Sequence, residues 1–290
     1  YGVVYDETTA MQEAFPESLK KSILQEAVQG KLVPQDPSDE PAEALLERIR
    51  AEKQRLIKEG KIKKDKHESV IFRRDNSHYE KRGSEEVCID DEIPFEIPEH
   101  WAWCRLGEIC SNIQTGLEKS KDFQSIYNPY VYFKMNNIGN FNGEEDWSST
   151  IRINASDQEL LMYSLNYGDF LFNTRNSREL VGKTCVFRSI FNDPVLYNNN
   201  IARINFILAN PFFINYWFTT PILRNILFEI NSGVTNVAAI YLKQIINLLI
   251  PLPPLHEQEQ IVAKLEELMA FCDGLEQSIK KSQGYNEQLL

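Results

Sequence analysis

The segment GDFLFNTRNSRELVGKTCVF, residues 168–187, concentrates side chains of the types that read DNA bases. A strand ending at Asn173 releases Thr174, Arg175, Asn176, Ser177 and Arg178 into a loop, and a tight turn at Gly182 and Lys183 leads back. Arginine donates bidentately to guanine and asparagine pairs with adenine in the major groove, whereas lysine, serine and threonine favour phosphates. Asn198, Asn199 and Asn200 offer the same chemistry, as does a polar elbow over residues 231–236. The candidate DNA contacts are therefore Arg175, Asn176, Arg178, Lys183, Asn198, Asn199, Thr235 and Asn236. Asparagine and serine also fill loops for conformational reasons alone, so the three cations carry most of this expectation.

No catalytic constellation accompanies them. Asn210-Pro211-Phe212-Phe213 partly matches the NPP(F/Y) element of amino-methyltransferases, but the second proline is missing. No glycine-rich turn follows an N-terminal strand to take a cofactor, and a helix cap followed by two core aromatics explains the tetrapeptide better. Phosphate-loop and GxSxG patterns are absent, and Asp193 and Lys183 do not make a nuclease site. The histidines (His67, His78, His100, His256) have no metal-ligand spacing. The five cysteines are odd in number and form no CxxC pair, which argues for a reducing, cytosolic setting without disulfides or zinc.

A formal charge of −11 would ordinarily count against a nucleic-acid partner. The excess lies on the flanks, however. Residues 1–100 hold 16 basic and 23 acidic side chains and residues 251–290 hold 3 and 7, while residues 101–250 hold 12 of each. A neutral centre can still present a local basic face. No run approaches the roughly 20 apolar residues of a membrane span, and the N-terminus lacks the basic start and apolar core of a signal peptide.

The elements that must position the candidates follow from periodicity. Residues 1–15 are weakly patterned. A helix starts at Phe15-Pro16-Glu17-Ser18, with proline in its first turn, and stops at Gly30. A second helix spans about residues 41–59, capped by Ser38 or Asp39. The basic run 58–66 reads as a solvated helix end or as a phosphate-contacting segment, and residues 67–93 as a partly ordered linker. From Ile93 the composition changes, and strands are expected at 130–134, 169–173, 184–188, 201–207 and 248–252. Helices begin at Pro211, capped by Asn210, and at Pro221. Short strands mixed with helices give an α+β fold with flanking long helices of coiled-coil type.

The C-terminal stretch 251–279, PLPPLHEQEQIVAKLEELMAFCDGLEQSI, opens with a proline-locked entry. Ile261, Leu265, Leu268, Cys272, Leu275 and Ile279 then repeat at 4-3-4-3-4 spacing, the narrow seam of a coiled coil. Periodicity alone leaves two readings, a strut that meets a partner helix or an ordinary amphipathic helix on its own domain.

The segments LKKSILQEAVQGKLVPQD, PFEIPEHWAWCRLGEI, GDFLFNTRNSRELVGKT and SGVTNVAAIYLKQIINLLIPLPPLHEQEQIVAKLEEL closely resemble, in this order, the specificity subunit of type I restriction–modification systems. The resemblance covers nearly the whole chain, and PLPPLHEQEQIV is its most diagnostic element. It implies a helical conserved region over residues 1–66, a linker over 67–93, a target-recognition domain over 94–254 and a conserved spacer helix over 255–290. It implies one half of a split double-stranded DNA target read by the recognition domain, and a helix seam (Ile261, Leu265, Leu268, Leu275, Ile279) that docks modification subunits. Those methyltransferase partners would carry S-adenosylmethionine, restriction subunits would join to cleave, and this chain would hold no cofactor, catalyse nothing and work in the cytoplasm. Usual members have two recognition domains and this chain has one, so it resembles a second half or fragment, or a half-subunit that self-associates with two-fold symmetry. Two further readings stay open, an adenine methyltransferase or fused restriction enzyme, and a scaffold that touches no bases.

Overall fold

The computed structural model describes residues 2–63, 68–233 and 237–288, with side chains between 14 and 284 of these. The β-branched and aromatic runs form the expected strands, Tyr130–Phe133, Phe170–Asn173, Thr184–Val186, Ile201–Phe206 and Leu249–Leu252. Three of them, with Cys110–Thr115, make an antiparallel sheet in the order Thr184–Val186, Phe170–Asn173, Ile201–Phe206, Cys110–Thr115. Successive side chains of a strand point to opposite faces, and here both faces are buried. Phe170, Phe172 and Ile204 enter the main core, while Leu171, Cys185 and Ile201 enter a second one. That second core is covered by a smaller sheet in which Tyr130–Phe133 lies parallel to Val195–Tyr197 and antiparallel to Arg152–Ile153.

On the main-core side pack the helices Pro211–Thr219 and Pro221–Ile230. Each begins where expected. The Asn210 side chain accepts from Phe212 N at 2.9 Å, and Thr220 Oγ1 accepts from Leu223 N at 3.3 Å. The result is an α+β architecture in which helices cover one sheet face and a second sheet covers the other.

The ends of this domain meet. Ala102–Arg105 pairs antiparallel with Leu249–Leu252, aligning Trp103 with Pro251. That pairing sets the entry of the C-terminal helix, Leu255–Gln288, beside the N-terminal helix, Gly2–Val28. Lys20 bridges to Asp273 at 2.6 Å and to Glu276 at 3.6 Å, while Gln35 reaches Glu257 at 2.5 Å, so the two helices run antiparallel. Ala27, Val28, Ile261 and Leu265 belong to the same core as the four-stranded sheet. Gly30 ends the N-terminal helix as expected, with φ +70°, and a Cβ there would lie 2.4 Å from Pro98.

Four expectations are corrected. The N-terminal helix begins at Gly2, not at Phe15, with Pro16 in its interior; packing along the C-terminal helix outweighs the proline and the weak local pattern. Neither Ser38 nor Asp39 caps the helix Ala42–Lys58, which has Pro41 at its N-cap. Ser38 instead donates to Asp36 through Oγ at 2.7 Å, and Ala42 N donates to His100 O at 2.9 Å. The expected linker contains a three-stranded antiparallel meander, Val70–Arg74, Ser77–Arg82 and Glu85–Cys88. Its charged strands hid it, because few of its side chains are buried and the meander is held by a small apolar cluster around Ile71 together with ion pairs. Arg105 clamps Glu80 through Nε at 3.1 Å and Nη2 at 2.7 Å, and also reaches Glu92 at 2.8 Å.

The fourth correction concerns the coiled-coil seam. Ile261, Leu265 and Cys272 are fully buried and Leu268, Leu275 and Ile279 half-buried. The first turns insert into the domain core and the remainder lies along the chain's own N-terminal helix, so the seam offered to a partner is covered from within the chain. Of the basic run, Lys61 pairs with Glu59 at 2.8 Å, and Lys64 and Lys66 lie outside the described residues.

Candidate nucleic-acid interface

Three loops expected to carry the contacts converge at one end of the main sheet. Arg175–Asn176 pairs antiparallel with Ala238–Ala239, which fastens the 174–182 loop to the elbow after the helix Pro221–Ile230. Ile240 N donates to Thr174 O at 3.0 Å, and Ser232 N to Ala239 O at 3.0 Å. The asparagine run joins the same cluster, since Asn200 O accepts from Thr174 N at 2.9 Å and from Asn173 Nδ2 at 3.0 Å. The neighbouring turn needs Gly116, where a Cβ would lie 2.2 Å from Tyr197 O.

Within the cluster the candidates divide by exposure. Arg175 and Arg178 are exposed, and the Arg178 guanidinium lies 4.7 Å above the Phe228 ring. Asn199 is half-buried. Asn176 is half-buried and turned inward, its Nδ2 donating to Asn173 Oδ1 at 2.8 Å and its Oδ1 accepting from Ser177 N at 2.9 Å. Asn198 is buried, donating to Tyr132 Oη at 2.7 Å and accepting from Asn200 N at 2.9 Å. Thr235 and Asn236 lie outside the described residues.

Lys183 is a correction. It is 3 % exposed and donates to Ile138 O at 2.6 Å and Asn140 Oδ1 at 3.4 Å. Burial lowers its ammonium pKa below the ordinary lysine value, against a raising influence from Asp146. A lysine so enclosed supports the loop over residues 138–143 instead of reaching a phosphate. Asn176 and Asn198 likewise spend their amides on the backbone and side chains that shape the cluster.

The pattern of ion pairs identifies what the local sequence did not. The chain has thirteen arginines among 31 basic and 42 acidic residues. Ten of them (Arg48, Arg50, Arg55, Arg73, Arg74, Arg82, Arg105, Arg152, Arg188, Arg203) are paired with carboxylates. Arg175, Arg178 and Arg224 have no carboxylate partner among the described residues, and all three are exposed. With acids in excess, an exposed guanidinium clear of them remains available to an external anion or base edge. Arg224 sits in a helix whose local sequence is dominated by apolar residues, so nothing there singles it out.

Arg178 and Arg224 open onto a cleft of about 1180 Å³ between the sheet domain and the helix pair. Asn140, Asn142 and Asn225 add uncharged donors and acceptors, and Lys20 and Asp273 line the far wall.

The two residues that follow His256 explain why the diagnostic EQ element stands where it does. Glu257 is 2 % exposed and accepts from Trp101 Nε1 at 2.9 Å as well as from Gln35. Gln258 accepts from Asn210 N at 2.8 Å and donates to Pro253 O at 2.9 Å. These bonds fix the helix entry to the residue preceding the strand Ala102–Arg105 and to the N-cap of the helix Pro211–Thr219. They are architectural, so the motif reports how the module is held and leaves its DNA target open.

Comparison with known proteins agrees with this geometry. The family model described as type I restriction modification DNA specificity domain matches residues 98–282. The EcoAI type I restriction enzyme specificity subunit of Escherichia coli is 34% identical over 278 residues, covering 94% of this chain and 43% of that protein. The EcoEI specificity subunit of Escherichia coli is 28% identical over 284 residues, covering 96% and 44%. The chain thus spans less than half the length of these curated relatives. A chain from a solved structure on complex assembly and conformational transition of the type I R-M system superposes with a TM-score of 0.51 at 21% identity, covering 85% of this chain and 54% of that one, a likeness of fold. On the family match and the identity to the first relative, this chain belongs to the type I restriction modification DNA specificity domain family.

Proposed function

We propose that the chain recognises one half of a split double-stranded DNA target and catalyses nothing itself. The observation that carries this reading is the placement of Arg175 and Arg178, free of carboxylate partners among the described residues, on one fastened loop, in a chain where every arginine other than these two and Arg224 is tied to a carboxylate. Arginines held on a rigid scaffold but left without a partner suit base edges and phosphates.

The family supports the rest of the proposal. The helix pair would dock methyltransferase subunits that carry S-adenosylmethionine, and restriction subunits would complete the complex, in the cytoplasm. Because the seam between the two helices is filled internally, partners would meet their outer faces. Among the described residues no helix is long and apolar enough to cross a membrane.

Methylome sequencing of a strain with and without this gene tests the reading. Loss of methylation at one defined bipartite motif is expected when the gene is absent. An unchanged methylome, or S-adenosylmethionine binding by this chain alone, would contradict it.

A further inference from the structure

The arginine that local sequence did not single out lies over an aromatic ring, as Arg178 does. Arg224 Cζ lies 4.2 Å from the centroid of the Phe141 ring. Phe228 stands one helical turn further along the same helix and lies under Arg178. Phe141, Arg224, Phe228 and Arg178 thus alternate ring and guanidinium across three segments of chain, on the wall of the 1180 Å³ cleft.

Phe141 is itself an outlier. Its φ is +58°, a left-handed conformation that bulky side chains rarely adopt and that persists only where the surroundings enforce it. They do so here. Lys183 holds Ile138 O and Asn140 Oδ1, and Asn215 Nδ2 donates to Gly143 O at 2.8 Å. Phe141 N donates to Gly139 O at 2.9 Å. Gly143 closes the loop with φ +75°, and a Cβ there would meet Asn215 Nδ2 at 2.6 Å. The buried lysine, expected to touch DNA, instead braces the loop that presents the ring.

We propose that Arg224 is a base-reading, specificity-determining residue and that Phe141 is its positioning residue. This deepens the DNA-recognition reading above and rests on it. A phosphate contact is satisfied by a flexible point charge, whereas two parallel hydrogen bonds to guanine require the guanidinium plane to be fixed. Stacking on Phe141 fixes that plane while leaving the N–H edges free, and no carboxylate among the described residues competes for them.

The test is selection from a pool of duplexes with a randomised half-site, using the chain assembled with its methyltransferase subunits. Wild type should enrich one defined motif. Arg224→Ala should leave most positions intact but lose roughly ten- to hundredfold discrimination at one or two adjacent positions. Arg224→Lys should not restore them. Phe141→Ala should blur the same positions with an unchanged melting temperature, and Phe141→Tyr should restore them. An unaltered motif in Arg224→Ala, or a uniform loss of affinity that Arg224→Lys rescues, overturns the proposal. If Arg175→Ala or Arg178→Ala alters the motif while Arg224→Ala does not, only this inference fails. If wild type enriches no motif, the DNA-recognition reading fails and the inference with it.

Discussion

Trp101 Nε1 donates to Glu257 Oε2 at 2.9 Å, joining the residue before the strand Ala102–Arg105 to the first turn of the C-terminal helix. Burial raises the Glu257 pKa, and the hydrogen bonds from Trp101 and Gln35 only partly offset that. Glu257→Ala should destabilise the chain by about 1–3 kcal/mol in urea unfolding, because buried donors lose their acceptor. Glu257→Gln keeps an acceptor for Trp101 and should cost less. The sign of the pH effect follows from the raised pKa: the contribution is complete below the ordinary carboxylate value and is lost as pH rises through the folded one. Wild type should therefore lose stability relative to Glu257→Gln as pH rises.

Glu80 behaves in the opposite sense. Burial alone would raise its pKa, but hydrogen bonds from Arg105, Ser69 and Arg82 outweigh it and hold the carboxyl at about 2. A depressed pKa gives stability that is present above the unfolded value of 4.5 and lost as pH falls through about 2. Acid unfolding should show this loss in wild type and a flatter profile in Glu80→Gln. Arg105→Met leaves Glu80 buried with only Arg82 and Ser69 as partners and should cost about 1–3 kcal/mol at neutral pH.

The C-terminal helix should respond unequally along its length. Leu265 is fully buried in the domain core, so Leu265→Ala should cost about 2–5 kcal/mol in chemical denaturation. Ile279 is half-buried and distant from that core, so Ile279→Asp should loosen the helix pair with a much smaller loss. Equal losses would contradict the division between a core-anchored entry and a paired extension.

Lys183 and Arg175 separate structural from recognition effects. Lys183→Ala removes a buried donor from Ile138 O and should lower stability by about 1–3 kcal/mol. Arg175→Ala should leave stability within about 0.5 kcal/mol while costing about 1–3 kcal/mol of half-site discrimination. Thermal melting and duplex competition measure the two effects independently.

Much of the fold was legible because local signals agreed with their packing. Asn210-Pro211 and Thr220-Pro221 cap the helices they precede, and apolar runs such as 170–173 and 201–206 are buried on both faces. The meander at 70–88 was hidden because its attachment combines ion pairs through Arg105 with a single small apolar cluster around Ile71, which gives no apolar periodicity. The seam of the last helix was legible as a seam, yet its occupant came from residues near the other end of the sequence, which periodicity cannot reveal. At the interface, residue type identified Arg175 and Arg178, but type alone could not tell an exposed cation from Lys183, whose partners lie about 45 residues away in the chain. Arg224 emerged only when carboxylate pairing became visible.

The central claim is that this chain chooses a DNA half-site. It is tested most directly by exchanging residues 94–254, the proposed recognition domain, for those of a relative and sequencing the methylome. The account predicts that methylation moves to a motif changed in one half and unchanged in the other. Methylation that stays at the original motif would contradict it.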